Sequence, residues 1–173
     1  MNIILDLETN GLLYECTKIH CAVVRKSETE YRLFKDPKTE DDNILDYFQE
    51  LKGRLDFTFI GHNIFGFDNE VLKKLYNIDL TKTNKVIDTY IMSQVLFGDL
   101  AKRDFGDPKL PKQFVGKHSL EAWGHRLGVY KGEYTGGFEE YNDEMGEYCI
   151  QDTLVTLKLY EYLVSQIEER TVR

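Results

Sequence analysis

The first eleven residues restrict the fold more than any other stretch of the chain. Ile3, Ile4 and Leu5 form an apolar run that leads into Asp6-Leu7-Glu8, and Thr9-Asn10-Gly11 then breaks the pattern. Successive side chains of a strand point to opposite faces, so a strand here puts Asp6 and Glu8 on one face and Ile3, Leu5 and Leu7 on the other. Two carboxylates side by side at the end of a buried strand repel each other and lose hydration. Two arrangements resolve that conflict. In one, the strand is an exposed acidic edge closed by the Asn10-Gly11 turn. In the other, a positive partner sits against the pair, and a divalent cation is the economical choice. Asp-x-Glu alone does not decide between them.

The 173 residues suffice for one domain with a substantial core and are few for two. A net charge of −8 and a sequence pI near 5.1 argue against a protein that grips nucleic acid by bulk electrostatics. They leave open phosphodiester chemistry through metals, which reverse the local charge. Cys16, Cys21 and Cys149 match no common zinc spacing and are expected as reduced thiols. The chain starts on a strand rather than a basic and apolar leader, and no apolar run approaches the roughly 18 residues of a membrane span. A soluble, cytoplasmic protein is expected.

Further along, residues 18–25 and 31–35 read as two more strands joined by the polar stretch 27–30, an antiparallel hairpin extending from the first strand. Residues 41–51 carry helical spacing at Ile44, Leu45, Phe48 and Leu51, with Gly53 placed as a stop. Residues 57–60 read as a buried parallel strand and 61–67 as a loop, followed by a helix marked by Asp68, Val71, Leu72 and Leu75. A short strand at 86–88 precedes a helix from 89 to about 97. Residues 98–117, rich in Gly, Pro and Lys, read as one long loop. A helix follows over 118–127, with Ser119 suited to cap it, and then a glycine-rich connection over 128–138. A last helix runs from about 139 or 142 to 168, with a possible break near Gly146 and a core stripe of Ile150, Leu154, Leu157, Val164 and Ile167. The order of elements implies an α/β fold, a mixed sheet with helices on both faces.

Two further places gather carboxylates where chemistry could use them. Asp68 follows His62-Asn63-Ile64-Phe65-Gly66-Phe67 at a helix start, where a short strand delivers the chain to one end of the sheet. Tyr148 and Asp152 are four apart and share one helix face, away from the expected core stripe. Taken singly, Asp68 is also a simple helix-start residue favoured by the dipole, and Tyr148 with Asp152 an ordinary amphipathic pair.

Taken together, Asp6 and Glu8 on a strand, Asp68 after an Asn-x-Phe-x-Phe loop, and Tyr148-x-x-x-Asp152 on a late helix resemble the three motifs of the DnaQ-like, ribonuclease H-like 3′–5′ exonucleases, in the subtype with a third-motif tyrosine (DEDDy). The resemblance spans nearly the whole chain. It is nearer still to the N-terminal proofreading domain of phage family A DNA polymerases, on Thr17-Lys18-Ile19-His20-Cys21, Ile87-Asp88-Thr89, His118-Ser119-Leu120-Glu121-Ala122-Trp123-Gly124-His125-Arg126-Leu127-Gly128 and Lys131-Gly132-Glu133-Tyr134. It implies a ribonuclease H-like fold and a phage or bacterial source. It also implies a DNA 3′–5′ exonuclease that releases 5′-mononucleotides from single-stranded or frayed 3′ ends through two divalent ions, Mg2+ or Mn2+. Asp6, Glu8, Asp68 and Asp152 would be the ligands, with Asp6 shared and Asp68 acting through water, and Tyr148 would orient the attacking water.

The backbone of Leu7, Glu8 and Thr9, with Asn63 and Phe65, is expected around the 3′-terminal nucleotide, with Phe65 or Phe67 available to stack on a base. Lys109, Lys112 and Lys117, in a net-positive stretch of a net-negative chain, are the candidate phosphate contacts, against the plain alternative of a solvated loop. His62 reads as a satisfied loop histidine, Asp88 as a helix cap rather than a fifth site carboxylate, and Trp123 as core. One exonuclease domain over 1–173 is expected, with no polymerase domain, in a free-standing proofreading or DNA-processing role beside a possible separate polymerase. The competing expectations are an RNA-directed exonuclease of the same fold, a non-catalytic end-binding module, and a nucleotide phosphodiesterase using the same metals.

Overall fold

The computed structural model describes residues 1–35, 43–130, 132 and 134–171. Strand β1 (Asn2–Thr9) is the centre of a five-stranded sheet. On one side it pairs antiparallel with β2 (Ile19–Arg25), which pairs antiparallel with β3 (Tyr31–Lys35). On the other it runs parallel to β4 (Thr58–Gly61), which runs parallel to β5 (Lys85–Asp88). The order is β3-β2-β1-β4-β5, the mixed sheet expected from the chain. Every residue of β2 is buried, so both faces of the sheet are covered.

Alternation along β1 divides its side chains as expected. Ile3, Leu5 and Leu7 enter a core with Phe48 of helix α1 (Ile44–Leu51) and Val71 and Leu72 of α2 (Asp68–Tyr76). The short α3 (Leu80–Thr83), absent from the sequence expectations, leads into β5 and adds Leu80 to that core. Against the opposite face lies the long α7 (Asp143–Thr171), where Met145 and Cys149 meet Cys21 and Val23, and Leu157 meets Ile4 and Ile60. Helices α4 (Thr89–Leu96) and α6 (Leu120–Leu127) pack on α7 in turn. Trp123 is buried there with Phe97, Val155, Leu159 and Leu163, a core residue as read.

Three expectations need correction. Residues 98–117 are not one long loop: they hold α5 (Leu100–Asp104) and a 3₁₀ turn over Lys112–Phe114. A buried ion pair between Asp104 and Arg126 of α6, with Leu110 and Phe114 packed on Ala122, pins the segment. Helix α7 is continuous through Gly146. A Cβ there would stand 2.7 Å from the Tyr141 hydroxyl and 3.2 Å from Leu33, so the glycine lets the helix lie close to β3. The α7 core stripe is also displaced. Of that stripe Leu157 is buried, but Ile150, Leu154 and Val164 are half-buried and Ile167 is exposed, whereas Cys149, Asp152, Thr153, Thr156, Leu159 and Leu163 are buried. Enclosed by the sheet and by α4 and α6, α7 buries a broad arc that includes Asp152, rather than one apolar line. The expected start of α1 at Asp41 lies outside the described residues; Asn43 caps the helix, its side chain accepting from the N–H groups of Leu45 and Asp46.

Candidate active site

The parallel pairing of β1 and β4 brings two chain segments to the same end of the sheet. β1 arrives there with Asp6 and Glu8, both half-buried on the α7 face, and a bulge interrupts its pairing with β2 between Glu8 and Thr9. β4 ends at Gly61, and the chain turns through residues 62–67 to set Asp68 at the first position of α2.

That turn is held from behind by Asp88. Its buried carboxylate accepts from the N–H groups of Asn63 (3.0 Å), Phe65 (3.2 Å), Tyr90 (2.9 Å) and Ile91 (3.4 Å), capping α4 and clamping the turn together. Asn63 sits there at a left-handed φ of 62°, a conformation asparagine tolerates better than most residues. Asp88 is thus the cap the sequence suggested, and it has a second task in the turn. Asp88→Ala would strand these donors and should destabilise the chain by roughly 3 kcal/mol, measured by urea denaturation. A change under about 0.5 kcal/mol would show that the turn holds without it.

α7 supplies the rest. Asp152 is buried, and with Asp6, Asp68, Asn63, Phe67 and Tyr90 it lines an open cleft of about 480 Å³. Glu8 lies beside Asp6: one carboxylate oxygen from each and the Cys149 Sγ fall within 4.8 Å of one another. Tyr148, half-buried, lines a neighbouring cavity with His125, Tyr130, Tyr134 and Phe138. Three distant parts of the chain therefore deliver Asp6, Asp68 and Asp152 to one cleft, with Glu8 beside Asp6, while Tyr148 lines the other cavity.

The electrostatics are strained. Burial pushes the Asp68 carboxyl well above the usual carboxylate range, and the charge of Asp6 pushes the same way. The backbone N–H groups of Asp68 and Leu7 oppose this, and Asp88 adds to it. Asp68 Oδ1 has no hydrogen-bond partner among the described residues. Burial likewise raises the Cys149 thiol, helped by Cys21 and by the charges of Asp6 and Glu8. Carboxylates crowded in this way are what a bound cation relieves.

Only some of the other residues singled out in the sequence reach this cleft. Leu7 turns its side chain into the opposite core and presents its N–H to Asp68. Thr9 is buried, its hydroxyl donating to the Gly11 carbonyl. Phe65 is exposed, and Phe67 rather than Phe65 lines the cleft. His62 Nδ1 meets the Thr89 hydroxyl at 3.0 Å. Lys109, Lys112 and Lys117 are exposed on the α5–α6 segment and are not among the residues lining the acidic cleft. Of the stretch 131–134, Lys131 and Glu133 lie outside the described residues; Gly132 and Tyr134 line the cavity beside Tyr148. Sequence reasoning missed Tyr90 in the cleft wall and Cys149 behind Asp6, because neither carries a local pattern that announces it.

Comparison with solved structures bears on the fold. A structure of Brucella melitensis NrnC with bound Mg2+ superposes with a TM-score of 0.68 at 19% identity, covering 98% of this chain and 75% of that one. Escherichia coli RNase D, an exoribonuclease, superposes with a TM-score of 0.60 at 17% identity, covering 97% of this chain and 40% of that one. These likenesses establish the ribonuclease H-like fold.

Sequence relatives narrow it. The DNA polymerases of Escherichia phage T7 and Enterobacteria phage T3 are 34% and 33% identical over 94% and 92% of this chain, which spans only 26% of the length of either. A family model described as 3′–5′ exonuclease, the exonuclease domain of DNA polymerase A, matches residues 2–168. The chain belongs to this 3′–5′ exonuclease domain family. No helix among the described residues is long and apolar enough to cross a membrane.

Proposed function

We propose that residues 1–173 act as one catalytic unit that hydrolyses the terminal phosphodiester of DNA 3′ ends, releasing nucleoside 5′-monophosphates with the aid of two divalent cations. One observation carries the reading: Asp6, Asp68 and Asp152, from three separate elements, converge on one cleft, with the Asp68 carboxyl pushed up by burial and by Asp6. The donor set fits Mg2+ or Mn2+. Its carboxylate oxygens are hard ligands, and the buried Asp68 Oδ1 awaits a partner. In this reading Asp6, Glu8, Asp68 and Asp152 hold the cations. When bound, these lower the pKa of an attacking water and stabilise charge on the reacting phosphoryl oxygens.

The remaining work falls to the chain's own groups. Tyr148, one turn before Asp152, orients the attacking water through its hydroxyl. A phenol, with an ordinary pKa of about 10, is a poor general base at neutral pH, so orientation is its part. Tyr148→Phe should lower kcat by about 10²-fold with KM little changed. Steady-state digestion of a single-stranded oligonucleotide reads this out, and an unchanged kcat would remove Tyr148 from the chemistry. Asn63 and Phe67 in the cleft wall, with the neighbouring Phe65, take the terminal nucleotide, while Lys109, Lys112 and Lys117 contact phosphates further along the strand.

DNA is favoured as substrate because the relatives above 30% identity are DNA polymerases, whereas the exoribonuclease shares the fold alone. A DNA polymerase is the natural partner for a proofreading role. The test is digestion of equal amounts of 5′-labelled single-stranded DNA and RNA in Mg2+. Faster shortening of the DNA from its 3′ end is expected. Faster shortening of the RNA would reassign the substrate, and no shortening of either would favour an end-binding module.

A further inference from the structure

The Cys149 thiol lies under α7 in a patch with Cys21, Val23 and Met145, otherwise apolar in character. The thiol contacts Cys21 and, more tellingly, Asp6: Sγ stands 3.4 Å from Asp6 Oδ2 and 3.6 Å from the Asp6 carbonyl oxygen. Cys149 follows Tyr148 directly and precedes Asp152 by three residues, so this contact ties α7 to β1 where the two halves of the acidic site meet. A carboxylate on a two-torsion side chain can turn its oxygens toward or away from a cleft. An S–H donor on one oxygen limits that rotation, and although a thiol is a weak donor, donation to a charged acceptor is strengthened.

We propose that Cys149 is a positioning residue for Asp6: its thiol donates to Oδ2 and fixes the carboxylate plane, so that Asp6 presents a constant edge to the cation. The inference rests on the reading of Asp6 as a metal ligand. Groups that hold a ligating side chain from behind alter metal affinity by about 10–100-fold when removed. A thiol that only filled space would leave a different signature. Serine keeps a donor but puts a hydroxyl into an apolar patch, whereas alanine keeps the patch apolar and removes the donor. Packing alone therefore ranks alanine at or above serine, and positioning ranks serine above alanine.

Titration of Mn2+ into metal-free wild type, Cys149→Ala, Cys149→Ser and Asp6→Ala, with free Mn2+ followed by electron paramagnetic resonance, separates the two. Melting temperatures of the metal-free forms are taken alongside. Cys149→Ala should bind Mn2+ about 10–100-fold more weakly than wild type and Cys149→Ser within about threefold of it, although serine melts no higher than alanine. Wild-type affinity in Cys149→Ala, or equal weakening in both variants, would overturn the positioning role while Asp6→Ala still shows the site to be real. Mn2+ binding unchanged in Asp6→Ala would instead sink the reading of Asp6 as a ligand, and the positioning role with it.

Discussion

Asp68→Asn should lose hydrolysis and, without metal, melt no lower than the wild type. The Asp68 carboxyl is buried, pushed above its ordinary pKa by desolvation and by Asp6, and one of its oxygens has no partner among the described residues. Asparagine keeps the shape and an acceptor for the Leu7 N–H but carries no charge. Each kcal/mol of relieved penalty raises the melting temperature of a chain this size by about 2–4 °C.

The pH dependence has a definite sign. A carboxyl raised in the folded state binds its proton more tightly there, so in a chelator the wild type loses stability as pH rises from the unfolded value of about 3.9 through the folded one, and Asp68→Asn does not. Adding Mg2+ reverses the order. Ligand at a hundred times its Kd stabilises the wild type by about 2.7 kcal/mol, and the variant gains little. Losing one cation-holding carboxylate removes several kcal/mol of transition-state stabilisation, about 10⁴-fold in rate. An Asp68→Asn protein that unfolds in chelator would mark Asp68 as structural. One that still hydrolyses DNA would remove it from the site.

The largest stability effect is expected at Arg126→Ala. The guanidinium meets Asp104 through two bonds, Nε to Oδ1 at 2.9 Å and Nη2 to Oδ2 at 2.7 Å, and donates further to the carbonyls of Phe114 and Lys117. The Gly116 N–H adds a bond of 2.7 Å to Asp104. Both side chains are almost wholly buried, at 10% and 6% exposure. Alanine would leave the Asp104 charge buried and poorly compensated, a loss of about 3–5 kcal/mol. Burial would by itself raise the Asp104 carboxyl, but Arg126 and the Gly116 N–H hold it below the usual range. This contribution is therefore present above the unfolded pKa of about 3.9 and is lost as pH falls through the folded value, the reverse of Asp68. Urea denaturation at neutral pH reads the loss, and a cost under about 1 kcal/mol would mean that the pair behaves as an exposed one.

The contrast between these two carboxylates also shows where sequence reasoning holds. Asp6 and Glu8 could be placed on one face because strand alternation is a local rule. Asp68 could be set at a helix start because a short strand and a loop precede it. The segment 98–117 misled because its order comes from Arg126, beyond its own end, and no local periodicity encodes a distant ion pair. Gly146 misled because glycine reads locally as a breaker, while its reason is the closeness of Tyr141 and of Leu33 on β3 beneath the helix. Cys149 gave no signal, since its partner Asp6 is 143 residues away.

The central claim is that the four carboxylates form one metal-dependent hydrolytic centre, and its most direct test uses 5′-labelled single-stranded DNA. Wild type and Asp152→Ala are incubated side by side in Mg2+ and in chelator. A ladder of 3′-shortened products should form only with the wild type in Mg2+, with nucleoside 5′-monophosphates released. A ladder that persists in Asp152→Ala, or in chelator, would contradict the account.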